Sequence, residues 1–136
     1  MFKLEEVSQK IADHLTRQKA VSKNIDEHCK YRGDNGLMCA VGCLITDTEY
    51  NSTIEGQTVI EPGVMKIVLS SIAPELGAAA MYTTGVDKLT ALLGMWQDYH
   101  DSIDSVEYQQ WIKTQDPVNS PQTFHETLKS KGCFDV

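Results

Sequence analysis

The sequence predicts a mainly α, compact single-domain bundle spanning residues 1–136, with six or seven helices and one short β-hairpin at about residues 29–40. Three observations carry this. Apolar residues recur at helical spacing in several segments, and prolines and glycines punctuate the chain between them. The dipeptide Asn35-Gly36 is a strong hairpin signal, because a type I′ turn needs positive φ at both central residues.

Leu4, Val7, Ile11 and Leu15 recur one helical turn apart among polar neighbours, which predicts a first helix over 3–18. A polar linker from Lys19 to His28 leads to the hairpin. Thr46-Asp47-Thr48-Glu49 reads as a capping box opening a short turn near Tyr50. Glu55-Gly56 is a turn, and Thr58-Val59-Ile60 is at most a short extended piece. After Pro62-Gly63, a densely apolar helix runs from Val64 to Ala73. Pro74 opens another over Glu75 to Tyr82, broken by Thr83-Thr84-Gly85. Thr84 caps the next, in which Val86, Leu89, Leu92, Leu93, Trp96, Tyr99 and Ile103 trace one face. Ser105 starts a helix holding Tyr108, Trp111 and Ile112 that ends before Pro117. Ser120-Pro121 caps the last, with Phe124 and Leu128 inside and Gly132 as the stop.

Chemistry, if present, concentrates between Cys29 and Ile45, seventeen residues holding three of the four cysteines and three of the nine glycines. A tight turn on Asn35-Gly36 sets Gly33 opposite Met38 and Arg32 opposite Cys39; a looser loop sets Lys30 opposite Cys39. Either register brings a basic side chain to the Cys39 sulfur. Ala40, Val41, Cys43, Leu44 and Ile45 then read as a short buried helix, with Gly42 admitting a close neighbour. Cys39 at that junction is a candidate activated thiol beside Arg32 or Lys30, with His28 or His100 as its base. Its other reading is a small core hydrophobe.

The run Cys29-x-Tyr31-Arg32-Gly33-x-x-Gly36-Leu37-x-Cys39-Ala40-Val41-Gly42-x-Leu44-Ile45, followed by Tyr50 and Glu55-Gly56, resembles a family of small uncharacterised phage and prophage proteins. Gln97-x-x-His100-Asp101 and Trp111 are similar too. The resemblance covers about two thirds of the chain and implies no catalytic residue. It implies a phage setting, in which small accessory proteins bind and disable host factors, defence proteins among them.

Composition sets the outer limits. Hydrophobic residues are 41% and charged residues 23%, which fits a globular protein and not a disordered one. No apolar run approaches a membrane span, and the acidic, amphipathic N-terminus does not read as a secretory signal. The expectation is a cytoplasmic protein, in the host cell if phage-encoded, with reduced thiols. The net charge of −7 is unevenly spread: residues 1–45 balance at +1 and residues 46–136 at −8. The second half lacks the clustered Lys and Arg that phosphate binding requires, so no direct nucleic-acid contact is expected. A protein partner with a basic surface suits it better.

Within that half, Asp98, Asp101, Asp104 and Glu107 come at three-residue intervals. They form either a solvated face or a negative ridge that docks on such a partner. His100 with Asp101, near Gln97 and Asp104, is either a weak catalytic candidate or a satisfied network. Cys39 and Cys43 are four apart, but no Cys-x-x-Cys or His-x-x-x-His pattern completes a metal site, so no metal is expected. Gly33-Asp34-Asn35-Gly36 lacks the Lys-Ser/Thr continuation of a phosphate loop, and no cofactor is implied. The expected function is a small acidic accessory protein that binds a host protein and inhibits or redirects it. The alternative is a thiol-dependent enzyme, or a binder of a nucleotide or signal molecule, centred on Cys39. Self-association through Trp96 and Trp111 is a third reading.

Overall fold

The computed structural model of the protein describes residues 2–22, 30–82, 85–101 and 107–135, without the side chains of Ala78 and Asp101. Among them are five α-helices: α1 (Leu4–Gln18), α2 (Pro62–Ile72), α3 (Val86–Asp101), α4 (Glu107–Thr114) and α5 (Pro121–Ser130). Short 3₁₀ segments fill the connections, and there is no β-strand among the described residues.

The expected bundle of six or seven helices with a hairpin is therefore corrected to five α-helices and no strands; the mainly α class stands. Two expected helices shrank. The run after Cys39 makes only a 3₁₀ turn over Gly42–Leu44. Pro74–Tyr82 is also 3₁₀, interrupted at Gly77 (φ 55°, ψ −137°), a conformation no α-helix contains. The Lys23–Cys29 stretch and the Thr84, Ile103 and Ser105 positions lie outside the described residues.

The hairpin failed for an identifiable reason. Its turn forms, with Asn35 at φ 60° and Gly36 at φ 76°. Its ladder stops at one antiparallel bridge, Arg32 opposite Met38, a register between the two expected. The next pair would need Tyr31 N to donate to Cys39 O, but Tyr31 N goes to Glu55 and Cys39 O accepts from Cys43 N at 3.2 Å; side chains also hold the outward-facing groups of Met38. Gln18 accepts from Met38 N (2.9 Å) and donates back to Met38 O (2.8 Å), while His14 Nε2 donates to the same carbonyl at 3.0 Å. On the other arm the Glu55 carboxylate accepts from both Tyr31 N (2.9 Å) and Arg32 N (3.1 Å). Successive N–H groups of an extended strand point to opposite sides, so one carboxylate taking both bends the chain there.

Gly42 admits a close neighbour, as its placement suggested. A Cβ at this position would lie 1.9 Å from the Tyr31 carbonyl oxygen. The same carbonyl accepts from Cys39 N at 3.3 Å, so the turn segment lies directly on the Gly42 backbone.

The helices close around this segment. α1 buries Leu4, Val7, Ile11 and Leu15, and α3 buries Leu89, Leu92, Leu93 and Trp96. A polar link ties α1, α3 and α5 inside the core. Trp96 Nε1 donates to Ser8 Oγ at 3.0 Å, and Ser8 Oγ lies 2.8 Å from His125 Nδ1. An indole N–H only donates, so Ser8 Oγ accepts from Trp96 and uses its remaining hydrogen-bonding capacity on His125 Nδ1. Trp96 is fully buried and Trp111 nearly so, which makes the pair core residues rather than an exposed self-association patch.

Candidate functional site

The residues between Tyr31 and Glu55 form a tightly bonded knot. Tyr50 Oη donates to Glu55 Oε2 at 2.6 Å, so this carboxylate accepts three donors in all. The Arg32 guanidinium lies 4.4 Å over the Tyr50 ring, donates to Ile45 O (3.1 Å) and pairs with Asp47 (2.8 Å). Burial, then the hydrogen bond to the Glu55 carboxylate, pushes the Tyr50 phenol up to about 12. Tyr31 Oη donates to Gln57 O at 2.5 Å, anchoring the following turn. Sequence reading saw Glu55 only as part of a turn; the signal for its role was its company with Tyr31, Arg32 and Tyr50 in the quoted run.

Arg32 is thus committed to the knot and faces Met38, not Cys39. Cys39 is 1% exposed, and its Sγ accepts from Gly42 N at 3.2 Å. Cys43 donates its S–H to Ala40 O at 3.1 Å, and its thiol is pushed up to about 12 by burial and by neighbouring Cys39. Cys39, Cys43 and Cys133 are not joined by disulfides. His100 is 1% exposed, its Nε2 accepts from Ser22 N at 3.1 Å, and its ring stacks on Tyr108. A nitrogen accepting that bond cannot at the same time take a substrate proton. His28, Asp104 and the Asp101 side chain lie outside the described residues. No group of three His, Cys, Asp or Glu side chains suited to a metal occurs among the described residues.

Two surface concavities flank the outer side of α3. One is a groove of about 270 Å³ walled by Met95, Phe124 and Leu128, with Asp98, Glu107 and Lys131 also lining it. Asp98 and Glu107 are exposed, and neither makes an ion pair among the described residues. The other is a cleft of about 460 Å³ between Lys30, the 56–60 turn and α3, and Asp98 lines this one too. Gly94 and Gln97 form its α3 wall. Gly94, a lone glycine inside a strong helical pattern, is the one sequence signal on this face of α3, and a Cβ there would meet nothing within 4 Å.

No protein-family model, curated protein or solved structure matches this chain. No helix among the described residues is long and apolar enough to cross a membrane.

Proposed function

We propose that this is a small acidic, phage-type accessory protein that binds a basic surface of a host protein and inhibits or redirects it. The observation that carries the reading is the groove in which Asp98 of α3 and Glu107 of α4 stand together, both exposed, over an apolar wall. Lys131 lines the groove too, but neither carboxylate is paired with a cation among the described residues, and unpaired carboxylates beside an apolar surface are what a Lys- or Arg-bearing partner needs. The −8 balance of residues 46–136 adds long-range attraction for the same partner. The resemblance to phage proteins supplies the setting. The sequence's catalytic candidates support the reading from the other side: Cys39 is enclosed, Arg32 is bound within the knot, and His100 Nε2 is occupied.

The test is one variant measured two ways, with Asp98, Asp101 and Asp104 changed to Asn and Glu107 to Gln. Its stability should stay within about 0.5 kcal/mol of the parent, as expected for exposed charges. Proteins captured by the parent from bacterial lysate at low salt should be lost by the variant, and parent capture should weaken as salt rises. A variant that folds as well as the parent and captures the same proteins equally refutes the proposal.

A further inference from the structure

The cleft on the other side of α3 has a chemistry of its own. At about 460 Å³ it falls within the ~300–1,000 Å³ typical of small-molecule sites. Its polar groups form an asymmetric set. Gln97 Oε1 accepts from Val41 N at 3.3 Å, which fixes the carboxamide and leaves its NH₂ without a protein acceptor among the described residues. Lys30 and Thr58 also line the cleft, and neither side chain has a hydrogen-bond or ion-pair partner among the described residues. These are three donors, one of them cationic. The complementary acceptor is the Asp98 carboxylate. Val59 and Ile60 add an apolar wall, and Ile60 is left 72% exposed. Gly94 keeps the α3 side open: a Cβ there would meet nothing within 4 Å.

We propose that this cleft binds a small zwitterion of the amino-acid type with an apolar side chain. The ligand carboxylate accepts from Lys30 and Gln97, its ammonium donates to Asp98, and its side chain covers Val59 and Ile60. Charge-assisted bonds at both ends give orientation, and the apolar wall gives selectivity for side-chain size. This goes beyond the acidic docking face. The two are separable because Glu107 lines the groove and not the cleft.

The probes are free leucine, N-acetyl-leucine, leucinamide and glycine, titrated into the full chain while backbone amide resonances are followed. Leucine should shift resonances of residues 57–60 and 94–98 saturably. N-acetyl-leucine, lacking the ammonium, and leucinamide, lacking the carboxylate, should each bind at least about tenfold more weakly, and glycine should give no response. Asp98→Asn should abolish the preference for leucine over N-acetyl-leucine, and Lys30→Met the preference over leucinamide. Gly94→Trp should fill the cleft and remove leucine binding, while Glu107→Gln should leave it unchanged. If Gly94→Trp does not fold, the Asp98 and Lys30 variants decide alone. A chain that gives no saturable leucine shift at millimolar concentration, binds all three leucine derivatives equally, or shifts elsewhere overturns the proposal.

Discussion

Replacing Gly42 by Ala puts the close approach of the Tyr31 backbone to the test. The added methyl would sit 1.9 Å from the Tyr31 carbonyl oxygen, 2.8 Å from its carbon and 3.1 Å from its Cα. All three are backbone atoms, so no flexible side-chain end can swing away. Tyr31 is held besides by Glu55 at its N–H, by Cys39 at its carbonyl and by Gln57 O at its hydroxyl. Overpacking of this kind costs about 1–3 kcal/mol, and weakening the Cys39 N–H bond adds about 1 kcal/mol. Reduced freedom of the unfolded chain returns about 0.5–1 kcal/mol. The net expectation is a loss of about 1–3.5 kcal/mol, or about 3–17 °C in Tm for a chain this long, towards the upper end because the contact is with backbone. Two other glycines calibrate the measurement. Gly36→Ala meets no atom but keeps φ at 76°, and should cost about 1 kcal/mol. Gly94→Ala meets no atom in a regular helix and should gain about 0.5–1 kcal/mol. Urea unfolding of the three variants should rank Gly94→Ala above the parent, then Gly36→Ala, then Gly42→Ala. A Gly42→Ala protein as stable as the parent would refute the close-packed knot.

Glu55→Gln keeps one acceptor oxygen where three donors converge, and should destabilise by about 1–3 kcal/mol. Spectrophotometric titration should show Tyr50 falling from about 12 yet staying above its ordinary value, because burial is the larger cause; an unchanged titration counts against the Glu55 bond. His14 and His125 are both held below the ordinary imidazole value, mainly by burial, although Glu5, Asp13 and Glu126 draw His125 the other way. Stability should therefore be complete above about pH 6.5 and fall as pH drops and the unfolded chain takes up protons that the folded one refuses, by at most about 1.4 kcal/mol per pH unit for each histidine. His125→Gln should flatten that fall, and an equally steep profile would remove His125 from the account. Iodoacetamide followed by peptide mapping should label Cys133 well before Cys39, whose reaction should await unfolding; rapid native labelling of Cys39 would restore the thiol-dependent alternative.

Helix positions were legible because periodicity and punctuation agreed. Leu4, Val7, Ile11 and Leu15 point inward as their spacing required, and Ser120 caps α5 by accepting from Thr123 N ahead of Pro121. The helices that did not form lay where apolar content was high without periodicity. Cys39 to Ile45 is apolar because most of it is buried, and burial alone does not fix a backbone. Pro74 to Tyr82 buries only Ala80 among its described side chains and leaves Tyr82 90% exposed, so its apolar content marks no helical face. The hairpin was misread for a different reason. Asn35-Gly36 specifies a turn, but continuation of the ladder depends on which groups claim the N–H and C=O of the next pair. Glu55 claims Tyr31 N from 24 residues away, a distance no local pattern reports, and Cys43 N claims Cys39 O.

That competition bears on function. The run from Tyr31 to Glu55 is the part of the sequence most suggestive of chemistry, and its unusual residues are bonded to one another. Glu55 bridges two backbone amides, Tyr50 caps Glu55, Arg32 spans Tyr50, Asp47 and Ile45, and Gly42 makes room for Tyr31. A reactive centre needs groups left partly unsatisfied until substrate arrives, and the knot leaves few. Within it Arg32 Nε alone among its described side chains is buried without a hydrogen-bond partner, while Lys30, Thr58, Gln97, Asp98 and Glu107 keep spare bonding capacity on the two concavities beside α3. The knot positions its neighbours: through Tyr31 and Gln57 it fixes the 56–60 turn, and through Val41 it fixes Gln97. Recognition by this protein is accordingly expected on the outer side of α3, with the cysteine-rich segment as its rigid support.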